Sequence, residues 1–218
     1  MSAGRITIVA LGDSTTAGTP GFLSPLESPP AGSGDPESQY AYWLMNARPG
    51  WDVHNRGVNS ERSDQIRARF DRDVLAASPR AVVIIAGVND VYQGRPASDV
   101  IGELRAMYEQ ARAAGIPVVA GSIVPYNTAT ADQNSRMREI NSWIRDSATR
   151  ECGVMFADTR AAVAAPDAPD QLAESPDGLH PSAGGYRRMA EALLPGVEAA
   201  LRGRPAGDSV PGVSYTLF

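Results

Sequence analysis

Five short apolar runs, rich in β-branched residues, recur along this chain with stretches of helical period between them. They are "RITIVAL" (5–11), "WDVHN" (51–55), "AVVIIAG" (81–87), "IPVVAGS" (116–122) and "GVMFAD" (153–158). Their unbroken apolar character is that of strands covered on both faces. Between them, Val100, Ile101, Leu104, Met107, Tyr108 and Ala111 fall on one helical stripe. Ile66, Phe70 and Val74 form a second stripe, Met137, Ile140, Ile144 and Ala148 a third, and Tyr186, Met189, Leu193, Val197 and Leu201 a fourth. Strand–helix alternation at this spacing predicts an α/β fold, a parallel sheet with helices on both sides.

A chain of 218 residues suits one large α/β domain, expected over residues 1–202. The Pro-, Gly- and Ser-rich stretch 19–38 is expected to be an irregular loop hanging over the turn that follows the first strand. Residues 203–218 form a tail whose Tyr215, Leu217 and Phe218 could dock on this chain or a neighbour, the expected route to any homo-oligomer. Net charge is −5, so there is no electrostatic footprint for nucleic acid. All twenty basic residues are Arg, which removes Schiff-base chemistry, pyridoxal phosphate attachment and the lysine of an ATP-binding loop. Cys152 is the only cysteine, so no intramolecular disulfide forms and a Cys-based metal site is not expected. The opening "MSAGRITIVALGDS" lacks the basic region, long apolar stretch and cleavage site of a signal peptide. No run approaches a membrane span, and a cytoplasmic location is expected.

In a parallel α/β sheet, ligands bind beyond the carboxyl ends of the strands. Gly12, Asp13 and Ser14 stand just past the first strand, where a short turn would project the serine. A second Gly-Asp-Ser, at Gly207, Asp208 and Ser209, follows no strand and reads as tail. A serine needs a base, and the chain has only two histidines. His54 falls inside the second strand, where a packed or hydrogen-bonded side chain is the economical reading. His180 lies in "SPDGLHPSAGGY", three residues after Asp177, and a tight turn there could aim the carboxylate at the imidazole Nδ1–H. The bland reading is a solvated loop, since Asp-x-x-His alone matches freely. Gly57 follows the second strand, and Gly87, Asn89 and Asp90 follow the third, at the same end of the sheet. A free glycine amide and an asparagine NH₂ suit a developing oxyanion, although both residue types are also common turn formers.

Together, Gly12-Asp13-Ser14, Gly57, Gly87-Val88-Asn89-Asp90 and Asp177-Gly178-Leu179-His180-Pro181 resemble the four sequence blocks of the SGNH (GDSL) hydrolase family, in the manner of a small bacterial-type esterase. The resemblance spans residues 5 to about 200. It implies a three-layer α/β/α flavodoxin-like fold with a five-stranded parallel sheet of order 2-1-3-4-5. It further implies Ser14 as nucleophile, His180 as base and Asp177 as the acid that orients it. The oxyanion hole would comprise the Ser14 amide, the Gly57 amide and the Asn89 side chain. One departure is visible: the second block often reads Asn-x-Gly-x-x-Gly, and here the last position is Ser60. Asp13 and Asp90 are expected to hold loops.

The expected activity is serine-dependent hydrolysis of short-chain acyl or acetyl esters through an acyl-enzyme, with no cofactor and no metal. Acyl transfer or thioester hydrolysis on the same triad is the alternative. From another class, "STTAGT" could cradle the phosphate of FMN in a flavodoxin-like sheet, with Tyr92 beside the flavin. That reading leaves Asp177, His180, Gly57 and Asn89 without a task. Phe22, Leu23 and Leu26 are available in the 19–38 loop to meet an acyl chain.

Overall fold

The computed structural model describes residues 4–203. Strands β1 (Ile6–Gly12), β2 (Trp51–Gly57), β3 (Ala81–Ile85), β4 (Val118–Gly121) and β5 (Val154–Ala157) form one sheet. All pairs are parallel and the order is β2-β1-β3-β4-β5. Each strand coincides with one apolar run of the sequence. The second runs two residues further than "WDVHN", so that Gly57 ends β2 directly opposite Gly12 at the end of β1.

Side-chain alternation divides the core into two. Along β1, Val9 and Leu11 pack on one face and Ile8 and Ala10 on the other. Helices α1 (Ser14–Ala17), α2 (Tyr40–Ala47), α3 (Ser63–Ala68), α4 (Val88–Tyr92), α5 (Ala97–Ala113), α6 (Ala131–Arg150), α7 (Thr159–Val163) and α8 (Ala183–Arg202) complete the chain. The first face takes Ile66 of α3, Val100, Leu104 and Met107 of α5, and Ile140 and Ile144 of α6. The second takes Tyr40 and Leu44 of α2 and Tyr186, Met189, Leu193 and Val197 of α8. Each such side chain, fully buried, contributes about 1.5–3 kcal/mol, so both helical layers are held mainly by their apolar stripes.

Three details differ from the sequence reading. The stripe Ile66, Phe70, Val74 is not one continuous α-helix: α3 ends at Ala68, and a π-helical turn spans Asp71–Leu75. The wider turn keeps Phe70 and Val74 in the core while Arg69 Nη1 donates to Asp73 Oδ2 at 2.6 Å. The 19–38 segment is not wholly irregular. Phe22–Leu23 pairs antiparallel with Ser33–Gly34, and a 3₁₀ turn covers Pro36–Ser38. The segment is fastened to β2 by Ser24, whose Oγ donates to the Gly57 carbonyl at 2.6 Å. Helix α2 and a small hairpin of Ala164–Ala165 with Ala168–Leu172 were not anticipated. Eight residues are too few for helical periodicity to stand out where apolar positions crowd together, as in "YAYWLMNA". Ser209 and the tail residues Tyr215, Leu217 and Phe218 lie outside the described residues.

Candidate active site

The carboxyl ends of β1, β2 and β3 converge on α1. Asp13 caps that helix, its Oδ1 accepting the Thr15 amide at 2.9 Å, which fixes Ser14 as the first helical residue. Gly57 makes the close packing possible: a Cβ there would lie 2.1 Å from the Ala17 backbone nitrogen. Ser14 is consequently almost buried, with its hydroxyl the part that reaches the cleft.

The partner arrives from 166 residues away. His180 Nε2 lies 2.9 Å from Ser14 Oγ, and His180 Nδ1 lies 2.7 Å from Asp177 Oδ2. The turn carrying both is built by Asp177 itself, whose Oδ1 accepts the Leu179 and His180 amides at 2.8 Å each. Gly178 supplies the left-handed step, at φ +77°. Burial pushes the Asp177 carboxyl up, but the His180 side chain and the two amides outweigh it and hold it below the usual carboxylate range. An ionised carboxylate against Nδ1 leaves the Nε2 lone pair facing the serine. The row can therefore take a proton from the Ser14 hydroxyl and stabilise the resulting imidazolium.

Ser14 and His180 open on a cleft of about 370 Å³ shared with Asn59, Asn89, Tyr92 and Tyr126. Asn89, at the start of α4, donates one amide hydrogen to the Glu61 carbonyl at 2.9 Å, and its second N–H remains for a ligand. Gly57 departs from expectation. Its N–H is not free but donates to Asn55 Oδ1 at 2.9 Å, and Gly57 is not among the cleft-lining residues. The cause is local, because the Asn55 side chain, anchored on the Ala17 carbonyl and Gln39, folds back over its own strand end.

The turn after Gly57 keeps its shape without a second glycine. Ser60 itself adopts the left-handed conformation, at φ +63°. Asp90 accepts both the amide and the hydroxyl of Ser63 at 2.8 Å, and so holds α3 against α4. Several of the groups that FMN phosphate would need after β1 are committed within the chain. The Thr15 and Thr16 amides go to Asp13, and Thr16 Oγ1 accepts from Tyr40 Oη at 3.0 Å. Phe22, Leu23 and Leu26 do not line the cleft; Phe22 turns instead into a separate hollow beside Asp52 and His54. His54 pairs with Asp52 at 3.1 Å.

Two contributors left no sequence signal. Ser175 Oγ donates to the His180 carbonyl at 2.6 Å and accepts the Gly178 amide at 2.8 Å, a role indistinguishable in sequence from ordinary turn chemistry. Tyr126 reaches the cleft from the loop after β4 and packs edge-on against Tyr92, ring centres 5.9 Å apart. Among the described residues, no group of three His, Cys, Asp or Glu side chains could hold a metal ion.

Residues 10–188 match the model of the GDSL-like lipase/acylhydrolase family. The chain belongs to that family. It is 28% identical over 155 residues to an acetylxylan esterase of Geobacillus stearothermophilus, covering 65% of this chain and 70% of that protein. A solved GDSL family protein from Desulfitobacterium hafniense superposes with a TM-score of 0.72 at 26% identity, covering 88% of this chain and 99% of the other. The solved acetylxylan esterase Axe2 of G. stearothermophilus shares the fold, with a TM-score of 0.68 at 23% identity over 89% of this chain and 95% of the other. This GDSL family member is a carboxylic ester hydrolase. No helix among its described residues is long and apolar enough to cross a membrane.

Proposed function

We propose that this hydrolase cleaves short-chain acyl esters, acetyl esters foremost, through an acyl-enzyme on Ser14. The observation that carries the reading is the continuous row Asp177–His180–Ser14 ending in an open cleft beside Asn89. Ser14 Oγ attacks the ester carbonyl while His180 Nε2 takes its proton, since the hydroxyl is a weak nucleophile at its own pKa. Negative charge moves to the carbonyl oxygen. There it is met by the Ser14 amide and the free N–H of Asn89, the Gly57 amide being already taken by Asn55. The carbon–oxygen bond to the alcohol then breaks, and His180 returns the proton to the departing alkoxide. Water, deprotonated by the same imidazole, attacks the acyl carbon and releases the acid and Ser14.

Two features support a short acyl group. The cleft is small, about 370 Å³, and none of Phe22, Leu23 and Leu26 lines it, so that its apolar walls are only Val88, Leu179, Tyr92 and Tyr126. Tyr92, more than half exposed and backed by Tyr126, offers a flat face to the leaving group, which fits a sugar alcohol. The acetyl-sugar ester cleaved by the similar acetylxylan esterase is consistent with that choice.

The test is hydrolysis of p-nitrophenyl esters from acetate to decanoate by wild type and Ser14→Ala. Acetate should be the best substrate, and the mutant, folded by circular dichroism, should lose activity throughout. Equal rates in both proteins would reject Ser14 as nucleophile, and a rate rising toward decanoate would reject the short-chain assignment.

A further inference from the structure

Asn89 meets the cleft with its amide plane already fixed by the hydrogen bond from Nδ2 to the Glu61 carbonyl. The direction of the remaining N–H therefore follows from where Glu61 sits. Glu61 belongs to the loop between β2 and α3, the same loop that passes through the left-handed Ser60. The far end of that loop is bolted to α4 by Asp90 and Ser63. Its middle is held from below, where Arg69 Nε donates to Glu61 Oε2 at 2.7 Å.

Arg69 is itself buried, with its side chain 7% exposed. Its other two nitrogens donate to Asp73 Oδ2 at 2.6 Å and to the Gly12 carbonyl at 2.9 Å. Gly12 ends β1, two residues before Ser14. One guanidinium thus touches both the strand that presents the serine and the residue whose carbonyl orients the asparagine. Asp73 reaches the same guanidinium from four residues further on, in the π-helical turn that follows α3. A planar fork of five fixed donors suits such a junction, and a lysine could not span it.

We propose that Glu61, held by the buried Arg69, is a positioning residue that aims the Asn89 amide at the oxyanion, so that one cation sets nucleophile and donor against each other. The inference rests on the reading of Asn89 as an oxyanion donor.

The experiment is a double-mutant cycle on p-nitrophenyl acetate with wild type, Glu61→Ala, Asn89→Ala and the double variant, each checked for folding by circular dichroism. Glu61→Ala should lower kcat about tenfold with KM unchanged, a small displacement of a catalytic donor being enough for that. Glu61→Gln, whose Oε1 can still accept from Arg69, should restore most of the rate. In the Asn89→Ala background, Glu61→Ala should cost nothing further, because the group it aims is gone. The same loss in both backgrounds, or no loss in Glu61→Ala, overturns the proposal. If Asn89→Ala alone leaves kcat unchanged, the oxyanion assignment fails first, and the cycle separates that result from a failure of Glu61.

Discussion

Asp177 divides its carboxylate between two tasks, Oδ2 meeting His180 Nδ1 at 2.7 Å while Oδ1 gathers the Leu179 and His180 amides. The division makes Asp177→Asn informative. The amide oxygen can still accept both backbone N–H groups, so the turn should persist. The NH₂, however, would face Nδ1 and force the imidazole proton onto Nε2, the atom that must accept from Ser14. Turnover should fall about 10⁴-fold, the size of the same change in other serine hydrolases, with the melting temperature nearly unchanged. Asp177→Ala should lose comparable activity and also melt earlier, because it removes the anchor of the turn. Steady-state kinetics alongside thermal melts would read both effects; a loss under about tenfold in Asp177→Asn would speak against the triad.

The sheet and both its faces were legible because the strands are apolar throughout and the long helices carry clean stripes. Nothing in a buried parallel strand such as "AVVII" competes with that reading. Ser14, Asp177, His180 and Asn89 were legible for a different reason: each sits on a turn at a strand end or in a Gly-rich loop, where local chemistry places it. What stayed hidden depends on long-range contact. Arg69 and Glu61 are eight residues apart in a stretch where the only sequence signal is the apolar stripe of Ile66, Phe70 and Val74. Only the fold shows that Arg69 points inward to the Gly12 carbonyl. The Gly57 amide was expected to be free because a sequence cannot say that the Asn55 side chain folds back upon it.

Ser60 is held at φ +63°, where an L-residue with a Cβ is disfavoured by about 1–2 kcal/mol. Ser60→Gly relieves that strain but gains freedom in the unfolded chain, which offsets part of it. A net stabilisation of up to about 1 kcal/mol is expected. Ser60→Val should be destabilising by more than Ser60→Gly is stabilising, since a β-branched residue tolerates this region least. Urea denaturation of the three proteins gives the ranking directly. A Val variant as stable as wild type would mean that the loop relaxes out of the left-handed conformation, and the orientation of Asn89 by Glu61 would then have to be reconsidered.

Asp13 connects the cap of α1 to the pH dependence of stability. It is fully buried, its Oδ2 has no hydrogen-bond partner among the described residues, and burial pushes its carboxyl up to about 7 against the opposing hydrogen bonds from Thr15. The folded-state value lies above the 3.8 of an ordinary Asp, so the folded protein holds this proton where the unfolded chain has released it. Its contribution is complete below about pH 4 and is lost as the pH rises to about 7, after which it changes no further. Asp13→Asn can keep the cap through its amide oxygen and has no charge to bury. The variant should therefore gain on wild type as the pH climbs through that window. The difference should be of the order of a few kcal/mol between about pH 4 and about pH 8. Urea melts of both proteins at several pH values would measure it. A constant difference between them across that range would show that Asp13 titrates as it does in the unfolded chain, and that its burial is compensated by something other than a retained proton.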